Sequence, residues 1–66
     1  MDSKQAERVK IGDRIKWHGI DDDSEVSYGS VIETGFNAFK VEYEDGQIDT
    51  YKFREPHRLV SISVVS

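Results

Sequence analysis

The chain of 66 residues contains no cysteine, a single proline and a single tryptophan. Without cysteine, neither a disulfide nor a thiolate metal site can staple the fold. The same absence suits a reducing cytoplasm, which is the expected location. No apolar run exceeds two residues, as in Val64-Val65. Such runs are far too short for a membrane span or a signal segment. An excess of positive charge is also missing, since the formal net charge is −4. Non-specific DNA binding is driven by phosphate neutralisation, so this balance speaks against it. A protein partner, and a basic one, fits the charge better.

What is present is bulk for one small core. A chain of this length makes one domain and buries a modest fraction of its surface. Trp17, Tyr28, Phe36, Phe39, Tyr43, Tyr51 and Phe53 are its aromatic residues. The most telling segment is Val41-Glu42-Tyr43-Glu44-Asp45-Gly46-Gln47-Ile48. Apolar and charged residues alternate up to Asp45-Gly46, and a second short run follows. Period-2 alternation marks a strand, and Asp-Gly supplies the positive φ of a tight hairpin turn.

Five stretches carry strand signals. Arg14-Ile15-Lys16-Trp17 alternates after a Gly12-Asp13 turn. Val26 to Thr34 reads as the second strand, with Gly29 inside it marking a bulge or a close backbone approach. Ala38 to Glu44 is the third, with Phe39, Val41 and Tyr43 on one face and Lys40, Glu42 and Glu44 on the other. Gln47 to Phe53 is the fourth. Pro56 cannot donate to a ladder, so Arg54 to His57 is a break. Arg58 to Val65 is the fifth, with Leu59 and Ile62 as core candidates. The pattern predicts an all-β fold, a small five-stranded antiparallel barrel. Residues 1–8 are expected as a flexible polar segment and residues 9–66 as the barrel domain. The size is that of a free-standing accessory protein of bacterial or phage style.

Three stretches carry a family resemblance: Gly12-Asp13-Arg14-Ile15, Tyr28-Gly29-Ser30-Val31-Ile32, and Val41 to Gly46. Together the chain resembles the Tudor-like and KOW-like branch of SH3-like barrels over residues 9–60. The third stretch is similar to chromatin Tudor domains of the Polycomb-like type. The first two are similar to bacterial Tudor-like domains of helicases and transcription-repair factors. The resemblance implies a single 3₁₀ turn near Glu55-Pro56-His57. It also implies a methyl-lysine cage at Trp17, Ser27, Tyr43 and Ile48, of which only Trp17 and Tyr43 are aromatic. Tyr28 or Tyr51 completes it only with a slipped register or a bulge. Plasmid-type dihydrofolate reductase is a second short SH3-like barrel. Its Gln-Ile-Tyr stretch is interrupted here, where Asp49-Thr50 separates Gln47-Ile48 from Tyr51.

The candidate partner-binding residues are Trp17, Tyr28, Phe36, Tyr43 and Tyr51. Trp17 either lines a groove beside the first long loop or caps the core. Phe36, in the Gly35-Phe36-Asn37 turn, either folds back onto the barrel or stays exposed for contact. The candidate nucleic-acid contacts are Arg14, Lys16, Lys52, Arg54 and Arg58. The run Asp21-Asp22-Asp23-Ser24-Glu25 lacks the alternating spacing of a calcium loop and reads as a solvated loop or an attractor of basic surfaces. His18 and His57 stand without a nucleophile or a matching Asp or Cys signature and read as surface residues. No catalytic, metal or cofactor motif stands out. The alternating residues 60–65 form an edge open to pairing with a second chain.

The expected function is therefore that of a small non-enzymatic binding module or adaptor. Its partner is expected to be a protein of the transcription, replication or nucleic-acid-processing machinery. A KOW-like nucleic-acid-binding module is the first alternative, and an oligomeric enzyme of the plasmid-type dihydrofolate reductase fold the second.

Overall fold

The alternation read in the sequence becomes strand wherever one face is apolar. The computed structural model describes residues 1–18 and 26–65. In it the chain forms a helix α1 (Ser3–Glu7), then β1 (Arg14–Trp17), β2 (Ser27–Thr34), β3 (Ala38–Tyr43) and β4 (Ile48–Lys52). A helical turn α2 (Pro56–Leu59) and the strand β5 (Ile62–Val65) complete the order. The fold is all-β: five antiparallel strands in one sheet, ordered β4-β3-β2-β1-β5. The sheet is open, with β4 and β5 at its two edges, where a closed barrel was expected.

One face of the sheet carries the core. Ile15, Val31, Phe39, Val41, Tyr43, Tyr51 and Ile62 are all buried. Lys40, Glu42 and Glu44 alternate to the exposed face, as the period-2 pattern requires. Lys40 pairs across the strands with Glu33 at 3.5 Å, its register partner.

Two glycines solve particular problems. Gly46 has φ 89° and closes the β3–β4 hairpin. The connection is one residue longer than a two-residue turn. The Gly46 N–H donates to the Tyr43 carbonyl, and the Tyr43 N–H donates to the Gln47 carbonyl. A loop of this length uses a single positive-φ residue, so Asp45 keeps an ordinary conformation and its carboxylate accepts from the Gln47 N–H at 3.1 Å. Gly29 answers the other question raised by the sequence. A Cβ there would lie 2.6 Å from the Glu42 carbonyl oxygen and 2.9 Å from Tyr43 Cδ1. It marks a close approach, while the irregularity in the β2–β3 ladder falls between Val31 and Glu33.

The two ends of the chain add detail. Residues 1–8, expected as a flexible polar segment able to form a short helical turn, contain α1. Asp2 caps it, accepting from the Gln5 N–H, and the Gln5 side chain accepts from the Asp2 N–H. Ala6 is buried in the core, and the Met1 nitrogen donates to the carbonyls of Leu59 and Ile62. The fifth strand begins at Ile62, not Arg58, because Pro56 opens a helical turn that holds Arg58 and Leu59. Proline fits this first helical position because its φ is preset and its missing N–H would have no partner there. Where a 3₁₀ turn was expected at Glu55-Pro56-His57, the structure has this α-helical turn, closed by the Leu59 N–H to the Glu55 carbonyl and the Val60 N–H to the Pro56 carbonyl. Within residues 60–65, Ile62–Val65 pairs with β1 along its length, which commits one of its two edges. The acidic run Asp21 to Glu25 lies outside the described residues.

Candidate functional site

The core face of the sheet runs out at one end, and a cleft opens there. Trp17 ends β1 opposite Ser27, which starts β2. Next along that face come Gly29 and its partner Tyr43, then Val41 and its partner Asp49. Because successive residues alternate, Trp17, Ser27, Tyr43 and Asp49 share the face of Ile15 and Val41. With Gln47 they line a cleft of about 280 Å³. Trp17 is 36% exposed and forms a wall, whereas Tyr43 is only 7% exposed and belongs to the floor. Gly29 places that floor, since its missing side chain is what lets the Tyr43 ring lie against the β2 backbone.

The floor is fixed from behind. The Tyr43 and Tyr51 hydroxyls share a hydrogen bond of 2.6 Å inside the core. Tyr51 in turn stacks on Phe39, with centroids 5.5 Å apart. The Arg58 guanidinium sits 5.2 Å from the Tyr51 ring centroid and donates to the Thr50 carbonyl at 3.0 Å. Burial pushes the Tyr43 hydroxyl far above the ordinary tyrosine range, and the bond to Tyr51 and the nearby Asp49 carboxylate act in the same direction. Burial raises Tyr51 as well. Both phenols are therefore neutral at physiological pH, and the charge at the cleft is that of Asp49.

Of the four positions implied by the resemblance, Trp17, Ser27 and Tyr43 converge here. Ile48 does not. It is 53% exposed and faces the other side of β4, beside Glu42. Gln47 and Asp49 stand in its place because the three-residue turn sets the β4 register. Neither Tyr28 nor Tyr51 completes an aromatic cage. Tyr28 alternates to the far face, where the Arg14 guanidinium lies 5.0 Å from its ring centroid. Tyr51 is 3% exposed beneath Tyr43. Sequence reasoning missed Gln47 and Asp49. A carboxylate at a core-facing β4 position, two residues before Tyr51, was the signal for it.

The five expected partner-binding aromatics thus separate. Trp17 and Tyr43 share the cleft, Tyr51 supports it, and Tyr28 turns away. Phe36 lies at another cleft with Phe53 and Arg54. Most of the expected basic residues have partners within the chain. Arg14 is paired with Glu44 at 3.2 Å, and Lys52 approaches Glu55 at 4.0 Å. Arg58 is held on Tyr51, and Lys16 lies on β1 between Tyr28 and Ser63.

No family model, no curated protein and no solved structure matches this chain. No helix among the described residues is long and apolar enough to cross a membrane.

Proposed function

We propose that the protein is a small non-enzymatic binding module that seats a cationic side chain of a protein partner in the Trp17 cleft. The observation that carries this reading is the joint presence of Trp17, Tyr43 and Asp49 on one opening. An aromatic face attracts a cation through its quadrupole, and the attraction grows as water is excluded. A carboxylate adds charge and accepts hydrogen bonds. Gln47 and Ser27 add polar contacts at positions where a full aromatic cage would have rings. That composition suits a lysine or arginine that keeps its N–H donors over a quaternary ammonium, which has none to offer. The run Asp21-Asp22-Asp23-Ser24-Glu25 joins β1 to β2 in the sequence, between Trp17 and Ser27. Its charge favours approach of a basic partner.

The strand order and the single helical turn before β5 support an SH3-like, Tudor-like assignment. That assignment fits an adaptor of nucleic-acid-processing machinery. The KOW-like alternative is less well supported, because Arg14, Lys52 and Arg58 are already engaged within the chain.

Trp17, the only tryptophan, reports directly on the cleft. Its fluorescence should shift saturably with short peptides containing arginine or lysine, and not with the same peptides bearing glutamine. Asp49→Asn should weaken that binding by about tenfold, since it removes a charge-assisted contact. Equal response to the glutamine peptides would overturn the reading. Tight, steeply salt-dependent binding of DNA or RNA without peptide binding would transfer the function to the nucleic-acid alternative.

A further inference from the structure

The second cleft lies between α1 and the β2–β3 turn, and nothing in the proposed function uses it. Its volume is about 350 Å³, and Ser3, Glu7, Phe36, Asn37, Phe53 and Arg54 line it. Phe36 is 95% exposed at the tip of its turn. A phenylalanine held this far into water supports nothing within its own chain. Burying such a ring in a partner recovers the apolar area it now exposes.

The cleft beside Phe36 is a built recess. Phe53 is half-buried on its floor, with its ring 6.4 Å from that of Phe39. The Ser3 hydroxyl donates to the Phe53 carbonyl at 2.8 Å, which ties α1 to the segment after β4. The Phe53 N–H donates to the Asn37 carbonyl at 2.9 Å, which ties that segment to the Phe36 turn. Three pieces of chain are stitched around one opening.

Charge identifies the occupant. Glu7 and Arg54 both line the cleft, yet among the described residues neither has an ion-pair partner. The patch therefore holds an aromatic knob, an aromatic-floored recess, an unpaired anion and an unpaired cation. A partner of one charge sign would satisfy only one of the two ions. A twofold axis satisfies everything, because an isologous interface brings a patch against itself.

We propose that this surface is where a second copy of the chain docks. Phe36 of each protomer enters the recess of the other, and Glu7 of each meets Arg54 of the other, twice by symmetry. The rings supply the affinity and the rim charges fix the register. The surface differs from the Trp17 cleft and from residues 60–65, so the proposal stands independently of the proposed function.

Sedimentation equilibrium of the whole chain from micromolar to millimolar concentration tests it. A monomer–dimer equilibrium is expected. Phe36→Ser should weaken it by about tenfold or more, as truncation of an interface anchor does. Glu7→Arg and Arg54→Glu should each weaken it, and the double exchange should restore it. Circular dichroism of each variant checks that the fold is intact. A monomer at millimolar concentration overturns the proposal. So does a dimer indifferent to Phe36→Ser, or a double exchange no better than the single ones.

Discussion

The two clefts rest on the same support and differ in what they show to water. Phe39 stacks on Tyr51, which holds Tyr43 beneath the Trp17 cleft, and it also contacts Phe53, the floor of the Phe36 cleft. At the first opening the aromatic floor belongs to the core, at 7% exposure. At the second the prominent ring is 95% exposed and packs on nothing. The Tyr43 ring of the first site is therefore coupled to folding, whereas the exposed Phe36 ring of the second is not. A substitution at Tyr43 mixes stability with binding, whereas one at Phe36 isolates the contact.

Replacing the shared support should abolish the distinction. Phe39→Ala removes a fully buried ring from between the two floors. Such truncations cost about 3–5 kcal/mol. A domain of this size has about 3–10 kcal/mol in total. The variant should be largely unfolded, or close to it, in a urea titration followed by circular dichroism. A loss below about 1 kcal/mol would mean that the two clefts do not depend on Phe39.

Gly29→Ala sharpens the comparison on one side. The added methyl meets the Glu42 carbonyl oxygen, Val41 Cγ1 and Tyr43 Cδ1, all within 3 Å. The strands must separate or the Tyr43 ring must move. A cost of about 1–3 kcal/mol is expected, as for other overpacked sites. Trp17 fluorescence should change with it, because the displaced ring is the cleft floor. Phe53 and the Phe36 cleft should keep their chemical shifts in NMR spectra.

This difference in coupling also decides what was legible in the sequence. The β1 strand and the face carrying Phe39, Val41 and Tyr43 were readable because alternation with a period of two leaves one solution when one face must be buried. Leu59 and Ile62 were named as core and both are buried, but alternation does not explain the pair. Three residues apart, they would face opposite sides of one strand, and it is the helical turn ending at Leu59 that lets both face the core. The Asp2 and Gln5 spacing is a capping signal, but five helical residues are held mainly by docking Ala6, which no local pattern reveals. The site was half legible. Trp17, Ser27 and Tyr43 lie on strands whose register is pinned by the core. Ile48 was misplaced because a turn longer by one residue moves the next strand's side chains to the opposite face. Phe36 was left with two outcomes, since Gly35-Phe36-Asn37 permits the ring to fold back or to stand out, and only tertiary packing chooses.

The tyrosine pair gives the coupled site a pH signature. Both hydroxyls have folded-state pKa values raised above the ordinary value, chiefly by burial. Their neutral forms are the ones the fold accommodates. The associated stability is fully present below the unfolded value of about 10 and is lost as the pH rises beyond it. Unfolding midpoints in urea should therefore fall above about pH 10, more steeply than exposed tyrosines would cause. Tyr43→Phe should cost about 1 kcal/mol at neutral pH by leaving the Tyr51 hydroxyl without its partner, and it should flatten the alkaline decline. An unchanged alkaline slope in this variant would separate Tyr43 from the core to which the geometry ties it.

The smallest effect is expected at the most conspicuous aromatic. Phe36→Ser removes a ring that touches solvent almost everywhere, so the stability of the monomer should change by no more than about 0.5 kcal/mol. The measurement belongs at micromolar concentration or below, because association of folded chains would itself add apparent stability and rise with concentration. Under dilute conditions the variant and the parent should unfold together. At high concentration only the parent should gain. If Phe36→Ser instead destabilises the dilute chain as much as Tyr43→Phe does, the ring is part of the core after all. The contrast between a ring coupled to folding and one that is not would then disappear.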